Sequence, residues 1–395
     1  MRLFAPYRTC AQRALEFLFV GVVIAVAIGC EAVGSQSGLP YQPTAYGLSQ
    51  SPLVTVGGHD DRVAYQLHYP VGAVRLSDGR LVIADAGPRE IRYYDAGGRH
   101  EHSIGGSGEG PGEFRNLRSI ARIRGDTIVA WDPAARRVSF FAADGDFALG
   151  VTLNGWSGVH EQLQAEDPSR TVSPYRLHAT GSGGLVLEPF YGRSPAAMEA
   201  TRVVQDTIPL LAFDRSGEHT AELGRFPAGE SFLRNRAGGL LRFGERLSLA
   251  AGTDFVYVGS TRSTVVRGIS MDGELAEAIV LPMDQRPIAV EDIPPPGTGV
   301  TAAHLEAMPV PDYMPVFSQI RYGIDKRLWV QKYLAPNDDS QEWLGFNEAG
   351  DLIASLTMDS SMELLDIGVQ YALVLVSDEW DVQEVRLYEL ERLAP

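Results

Sequence analysis

Short apolar runs, each ended by a turn signal, recur along most of the chain. The first clear series occupies residues 71–76, 81–85, 90–95 and 100–104. Its first and third runs lead into Ser77-Asp-Gly79 and Ala96-Gly-Gly98, which are typical of tight β-hairpin turns. The pattern therefore predicts four antiparallel strands rather than helices.

The same four-strand series recurs further along, in copies that begin near residues 117, 175, 246, 319 and 363. The last copy ends after three strands, whereas residues 52–57 form an apolar run that lacks its own series. If the copies are arranged in a ring, an incomplete last copy would leave an unpaired strand edge. We therefore expect residues 52–57 to pair with the last copy. The sequence thus predicts an all-β fold, a six-bladed β-propeller closed by an N-terminal strand that completes the last blade.

The step between the first two copies is Ile104-Gly-Gly-Ser-Gly-Glu-Gly-Pro-Gly-Glu-Phe114. An apolar strand, a turn, a strand ending at Asp132, and the run Arg136-Arg-Val-Ser-Phe-Phe141 follow it. This arrangement resembles an NHL repeat, and the chain resembles the NHL-like six-bladed propeller lipoproteins of bacteria. NHL propellers include RNA-binding modules, protein-binding sensor domains and a metal-dependent lyase, so the resemblance implies a fold rather than one activity.

The first 30 residues have the features of an export signal. Three arginines precede the apolar run 17–29, which is short for a membrane span of about 20 residues. The segment Ala27-Ile-Gly-Cys30 is similar to a bacterial lipobox, although Ala stands where Leu is usual. We expect residues 1–29 to be a lipoprotein-type signal peptide and Cys30 to carry the lipid. A plain cleaved signal peptide and a retained N-terminal anchor are the alternatives.

Residues 30–51 are rich in Gly, Ser, Gln and Pro, which favours a flexible tether ahead of a propeller over 52–395. Cys10 and Cys30 are the two cysteines of the sequence, so the propeller has no disulfide. We expect the protein in the bacterial cell envelope, outside the cytoplasm and anchored at Cys30. A secreted or periplasmic protein is the alternative.

The formal net charge of −16 argues against nucleic acid as a partner and against adsorption to anionic lipid. Acidic balance of this kind is compatible with a cationic ligand such as Ca²⁺. No Gly-x-Ser-x-Gly, His-Glu-x-x-His, phosphate loop or cysteine nucleophile occurs in the propeller sequence, which favours a non-catalytic role. His100 and His102 alternate as zinc ligands can, but they lie on a predicted outermost strand.

Long connections are predicted to gather on one face of the propeller. In a four-stranded blade, the connections between strands 2 and 3 and those between blades share that face. They contain the insertions 154–174, 189–207, 224–245, 282–318 and 332–341, whereas the opposite turns are tight. Loops on a rigid scaffold often carry binding sites, so we expect the functional surface on this decorated face. Simple capping of the ring is the alternative.

Six residues near that face are the candidate ligand-binding residues: Asp85, Arg89, Arg115, Arg118, Asp132 and Arg136. The two carboxylates could hold a cation such as Ca²⁺, or they could brace turns by accepting backbone N–H bonds. The arginines could bind an anionic group, or they could pair with acidic neighbours such as Glu113 and Asp132.

The leading hypothesis is a monomeric, membrane-tethered, non-catalytic module that binds a protein, peptide or glycan through its decorated face, with no cofactor predicted. The alternative is a metal-dependent hydrolase or lyase with its site at the channel mouth.

Overall fold

The computed structural model describes residues 42–194, 199, 201–234, 237–293 and 305–394. The predicted signal peptide, the lipidation site Cys30 and the first part of the predicted tether lie outside these residues. Within the described ranges, no helix has the length and apolar character needed to cross a membrane. The predicted all-β class is confirmed, with strands dominating the described chain.

The strands of the first half, in chain order, are β1 (Thr44–Leu48), β2 (Val54–Gly57), β3 (Pro70–Arg75), β4 (Leu81–Asp85), β5 (Glu90–Tyr94), β6 (His100–Gly105), β7 (Ser119–Ile123), β8 (Thr127–Asp132), β9 (Arg137–Phe141), β10 (Phe147–Thr152), β11 (Arg170–Ala179), β12 (Leu185–Arg193) and β13 (Arg202–Phe213). Those of the second half are β14 (His219–Arg234), β15 (Ala237–Leu240), β16 (Leu247–Ala251), β17 (Phe255–Ser260), β18 (Val265–Ser270), β19 (Leu275–Val280), β20 (Phe317–Tyr322), β21 (Leu328–Lys332), β22 (Ser340–Phe346), β23 (Leu352–Asp359), β24 (Glu363–Ile367), β25 (Tyr371–Ser377) and β26 (Gln383–Arg392). A helix, α1 (Trp156–Glu166), precedes β11.

Four antiparallel sheets follow the chain order: β3 to β6, β7 to β10, β11 to β15, and β16 to β19. The remaining strands join in one sheet, ordered β20-β21-β22-β23-β1-β26-β25-β24, with β2 also paired to β26. In that pairing Val54 lies opposite Leu387 and Val56 opposite Val385. The N-terminal apolar run therefore pairs with the last predicted copy.

Part of the predicted flexible tether is ordered as β1. This strand pairs in parallel with β23 and antiparallel with β26. It therefore lies between the group β20 to β23 and the group β24 to β26. Tyr46 is buried in a cluster that includes Trp329 and Trp343. The composition of residues 30–51 did not indicate this strand, because one aromatic anchor and two neighbouring edges stabilise it.

The third set of strands is longer than its apolar pattern predicts. Parts of the predicted insertions 189–207 and 224–245 continue β12, β13 and β14 or form β15. The outer half of β13 has exposed and partly buried positions, whereas its last six residues are all buried. Backbone pairing extends these strands beyond the core. Side chains there do not alternate between apolar and polar, so the sequence pattern does not predict the extra strand residues.

The glycine-rich step connects the first two sheets as predicted. Phe114 is fully buried between them, with its ring 6.3 Å from that of Phe141. Gly105 has a φ of 96°, and a Cβ there would lie 2.9 Å from the Phe114 ring. Glycine is needed at this position for both conformation and space.

The first strand of each successive group contacts the first strand of the next in a closed cycle; these strands are β3, β7, β11, β16, β20 and β24. Its hydrogen bonds run from Arg122 to the Arg75 carbonyl, from Arg124 N to Gly181 O (3.1 Å), from Gly181 N to Gly252 O (2.8 Å), from Ile320 N to Ser248 Oγ (3.0 Å), from Ile324 N to Ile367 O (3.1 Å) and from Arg75 N to Asp366 Oδ2 (3.0 Å). The sheets are thus arranged in a propeller-like manner, with their first strands innermost.

Candidate functional site

A cavity of about 970 Å³ lies among these first strands, and we refer to it as the channel. Residues of β3, β7, β11, β16, β20 and β24 line it, together with turns at the strand ends. The lining residues described include six cationic side chains, Arg118, Arg122, Arg124, Arg176, Arg321 and Lys326, against three acidic ones, Asp126, Glu363 and Asp366. The channel is therefore locally cationic within a chain of net charge −16.

One group of side chains, which we call the mouth cluster, consists of Arg118, Tyr175, Arg176, His178 and Glu188. Arg118 Nη2 donates to Tyr175 Oη at 2.8 Å. The guanidinium carbons of Arg118 and Arg176 lie 4.8 and 4.9 Å from the centre of the Tyr175 ring. Such contacts hold both arginines by cation–π attraction while leaving N–H groups available.

Glu188 is the acidic member of this cluster and is only 7% exposed. Its carboxylate lies 3.6 Å from Arg176 Nη1 and 3.4 Å from His178 Nε2. The two partners alternate along β11, and Arg176 is paired directly with Glu188 across the sheet. Side chains at i and i+2 on a strand share a face, which brings all three together.

A second group of residues surrounds Asp366, which also lines the channel. Asp366 accepts hydrogen bonds from Arg75 N at 3.0 Å and Tyr371 Oη at 2.9 Å. Burial raises the pKa of Asp366 above its ordinary value. Burial also lowers the pKa of the Arg321 guanidinium, whose nearest acceptors are Leu365 O at 3.5 Å and Glu363 Oε1 at 3.6 Å. Arg321 is therefore a weakly partnered cation in the channel wall.

Asp85, a predicted site residue, is fully buried at the end of β4. Its carboxylate accepts backbone N–H bonds from His68 (3.0 Å), Tyr69 (2.8 Å) and Gly87 (3.2 Å). The buried guanidinium of Arg92 lies 3.7 Å away. Through these hydrogen bonds the carboxylate stabilises the backbone just before β3 and just after β4.

Asp132, the second predicted carboxylate, occupies the equivalent place at the end of β8. It is fully buried and accepts from Arg115 N at 2.6 Å and Ala135 N at 3.0 Å. Asp85 and Asp132 therefore each hold their own turn, and nothing in their contacts joins them into one site.

The four predicted arginines are distributed among different environments. Arg118 belongs to the mouth cluster, whereas Arg89 donates to the Ser107 hydroxyl. Arg115 lies 3.5 Å from Glu109, and its side chain is half exposed. Arg136 contacts Ser157 at 3.3 Å and lines a separate cavity of about 310 Å³ beside α1. The structure thus brings one of the four to the channel.

The alternating histidines on β6 have neighbours other than a metal ligand set. His102 stacks on Tyr93 with ring centres 4.6 Å apart, and His100 Nε2 lies 2.9 Å from Ser103 Oγ. Within the described ranges, no group of three or more His, Cys, Asp or Glu side chains is placed to hold a metal ion.

Sequence reasoning missed Tyr175, Arg176, His178 and Glu188 as a group, and it missed Arg321. A signal was present for two of them, because Arg176 and His178 alternate on a strand predicted to be the innermost of its copy. Glu188 meets them through the pairing of β11 with β12, whereas Arg118 reaches Tyr175 through the contact between β7 and β11, which no local pattern encodes.

No family model and no curated protein matches the chain. Among solved structures, a protein of Bacteroides fragilis that is inferred to be exported is 13% identical, with 89% of this chain and 100% of that chain covered and a TM-score of 0.47. A DUF4221 family member from Bacteroides vulgatus is 9% identical over 89% and 100% of the two chains, with a TM-score of 0.48. A gluconolactonase from Xanthomonas campestris is 13% identical over 89% and 98%, with a TM-score of 0.39. Similarities at this level carry no argument about the activity of the present chain.

Proposed function

We propose that the chain forms a six-bladed β-propeller in which β2 completes the last blade. Support comes from the cycle of contacts among β3, β7, β11, β16, β20 and β24, and from the pairing of β2 with β26. Val56 is fully buried in a cluster that contains Leu81 of the first sheet and Leu373 of the last. Such a strand would join the first sheet to the last.

Two substitutions on opposite faces of β2 test this closure. Val56→Asp puts a charge into the core and should lower the unfolding free energy by more than about 3 kcal/mol. Unfolding of this variant should no longer occur in a single cooperative transition. Thr55→Asp, on the exposed face of the same strand, should change it by less than about 0.5 kcal/mol. Equal effects of the two changes in urea unfolding would argue against closure by β2.

We further propose that this propeller is a non-catalytic binding module of the bacterial cell envelope for a protein, peptide or glycan partner. The observation that carries the proposal is the mouth cluster, in which two arginines flank an aromatic ring beside the channel. Phe190, exposed and 5.6 Å from the Tyr175 ring, extends its apolar surface. Aromatic and arginine side chains together are the common anchors of binding surfaces.

The membrane tether in this proposal is a lipid on Cys30. Expression of the full-length protein and Cys30→Ala in a bacterial host tests it by fractionation and mass spectrometry of the N-terminus. The natural protein should carry diacylglycerol and sediment with membranes, whereas the variant should lose the lipid. An unmodified Cys30 would favour the secreted or periplasmic alternative.

A capture experiment tests the binding role. The full-length protein, Arg176→Gln and the control Arg99→Gln are each used as bait in detergent-solubilised envelopes, and bound material is identified by mass spectrometry. Arg99 is a suitable control because its side chain is 83% exposed and lies on a tight turn of the first sheet. A stoichiometric partner retained by the protein and the control but lost with Arg176→Gln supports the proposal. Retention of the same material by all three opposes it.

The enzyme alternative is favoured by one observation, the approach of His178, which lines the channel, to Glu188 at 3.4 Å. A histidine beside a carboxylate is an arrangement that general-base chemistry uses. Hydrolysis of lactone or ester substrates that is lost in His178→Gln, with no partner captured, would replace the binding role by this alternative.

A further inference from the structure

The cationic side chains of the channel are spread along its length rather than gathered at one point. Arg118 lies beside the start of β7, Arg122 lies within that strand, and Arg124 follows its end. Arg321 and Lys326 repeat this spread along β20 and its turn. A ligand that used all of these charges would have to be extended.

Several of these charges are incompletely neutralised. Arg321 makes no polar contact shorter than 3.5 Å among the described residues, and its Nε has no partner. Arg176 lies 3.6 Å from Glu188 and is 51% exposed. Both guanidinium groups are partly exposed and keep N–H donors without a close acceptor, so an incoming oxyanion would gain charge-assisted hydrogen bonds here.

The channel also contains acceptors, which narrows the chemistry of the ligand. Asp126, Glu363 and Asp366 would repel an unbroken run of negative charge such as a polyphosphate. An acidic peptide differs, because its carboxylates alternate with backbone N–H donors that suit those acceptors. The rim adds exposed aromatic surface at Tyr69 and Phe190 for apolar side chains.

We propose that the channel binds an extended acidic peptide segment, with its carboxylates on the arginines of the wall. This inference rests on the proposed binding role and specifies the chemistry of the partner. Strand β3 has six residues, and at about 3.3 Å per residue it spans about 20 Å. An extended peptide of about six residues therefore matches the channel length.

Titration calorimetry with capped hexaglutamate and capped hexaglutamine tests the charge requirement on the detergent-solubilised full-length protein. Hexaglutamate should bind at least about tenfold more tightly, and its affinity should fall about tenfold or more between about 50 and 300 mM salt. Affinity should rise from diglutamate to hexaglutamate and change little in decaglutamate. Equal binding of the two hexapeptides would overturn the proposal.

Substitutions in the channel wall test whether the peptide binds in the channel. Arg176→Gln and Arg321→Gln should each weaken hexaglutamate binding about three- to tenfold, whereas Arg99→Gln should change it less than twofold. If Arg321→Gln lowers stability, the half-exposed Arg176 still decides the question. Equal affinities of the channel variants and the control would overturn the proposal, as would tighter binding of linear hexaphosphate or oligogalacturonate.

The two proposals can fail separately. A partner captured through Arg176 together with equal binding of hexaglutamate and hexaglutamine would leave the binding role intact and remove the acidic peptide. Selective hexaglutamate binding without any captured partner would support the channel chemistry and oppose the envelope partner.

Discussion

Asp85 and Glu188 are acidic residues on equivalent second strands, Asp85 at the end of β4 and Glu188 within β12, yet they have different roles. Leu81 and Leu185 each pair with the last residue of their third strand, Tyr94 and Phe213. Asp85 is four residues beyond Leu81, whereas Glu188 is three residues beyond Leu185. Because side chains alternate along a strand, this offset of one residue directs the two carboxylates to opposite faces of their sheets.

The consequence is visible in their contacts. Asp85 has backbone N–H donors and a buried arginine around it, whereas Glu188 has two long contacts to side chains of the channel wall. A carboxylate saturated by backbone donors is a structural element, whereas Glu188 sets the charge beside the channel-lining side chains of Arg176 and His178. Asp132 shares the register of Asp85, and Gln331, three residues beyond Leu328, shares that of Glu188.

Replacement of Asp85 should have the largest effect on stability. Asp85→Asn removes the charge that faces Arg92 and replaces one acceptor oxygen with a donor, so backbone N–H groups lose their partner. We expect a loss of about 3 kcal/mol in unfolding free energy, measured by urea denaturation. Asp95→Asn, at an exposed turn, is the control and should cost less than about 1 kcal/mol. A loss at Asp85 as small as that of the control would remove the structural assignment.

Asp132→Asn should be the next in size, with a loss of about 2 kcal/mol in the same measurement. The expected loss is smaller than at Asp85 because the carboxylate accepts two backbone N–H bonds, and among the described residues no arginine forms a salt bridge with it. Reversal of the order of Asp85 and Asp132 would show that the ion pair with Arg92 adds nothing.

Glu188→Gln should change the unfolding free energy by less than about 1 kcal/mol, because its ion contacts are long. The same change removes a negative charge beside Arg176 and should strengthen hexaglutamate binding about two- to threefold. Calorimetry and urea denaturation on one preparation measure both quantities. A large stability loss with unchanged affinity would place Glu188 with the structural carboxylates.

Asp366 extends the comparison through its pH dependence. Burial raises its folded-state pKa above the ordinary value of 3.8, so the folded protein holds this proton more tightly than the unfolded chain. Ionisation of Asp366 therefore costs stability as pH rises from about 4 through the raised pKa. Asp366→Asn lacks this loss. The unfolding free energy of the variant minus that of the natural protein should therefore be larger at pH 7 than at pH 4. A difference that is constant or falls with pH would contradict the assignment.

Much of the fold could be predicted from local pattern. The short runs, the turns containing Gly79 and Gly98, and the step ending at Phe114 each encode a strand, a tight turn or an inter-sheet contact within a few residues. β1 and the long arms of β13 and β14 could not be predicted in this way. The edges that stabilise β1 belong to β23 and β26, which lie far along the chain. The arms of β13 and β14 pair with each other beyond the core, where no apolar alternation marks a strand.

The sequence by itself determined the all-β class, the repeated four-strand pattern and the bracing potential of Asp85 and Asp132, because hydrophobic alternation and turn chemistry act over neighbouring residues. Only the tertiary structure decided which charges meet in the channel. Arg118 reaches Tyr175 of the next sheet, and Arg75 reaches Asp366, which lies 291 residues further along the chain. The face on which Glu188 lies depends on strand register, which pairing across the whole sheet fixes.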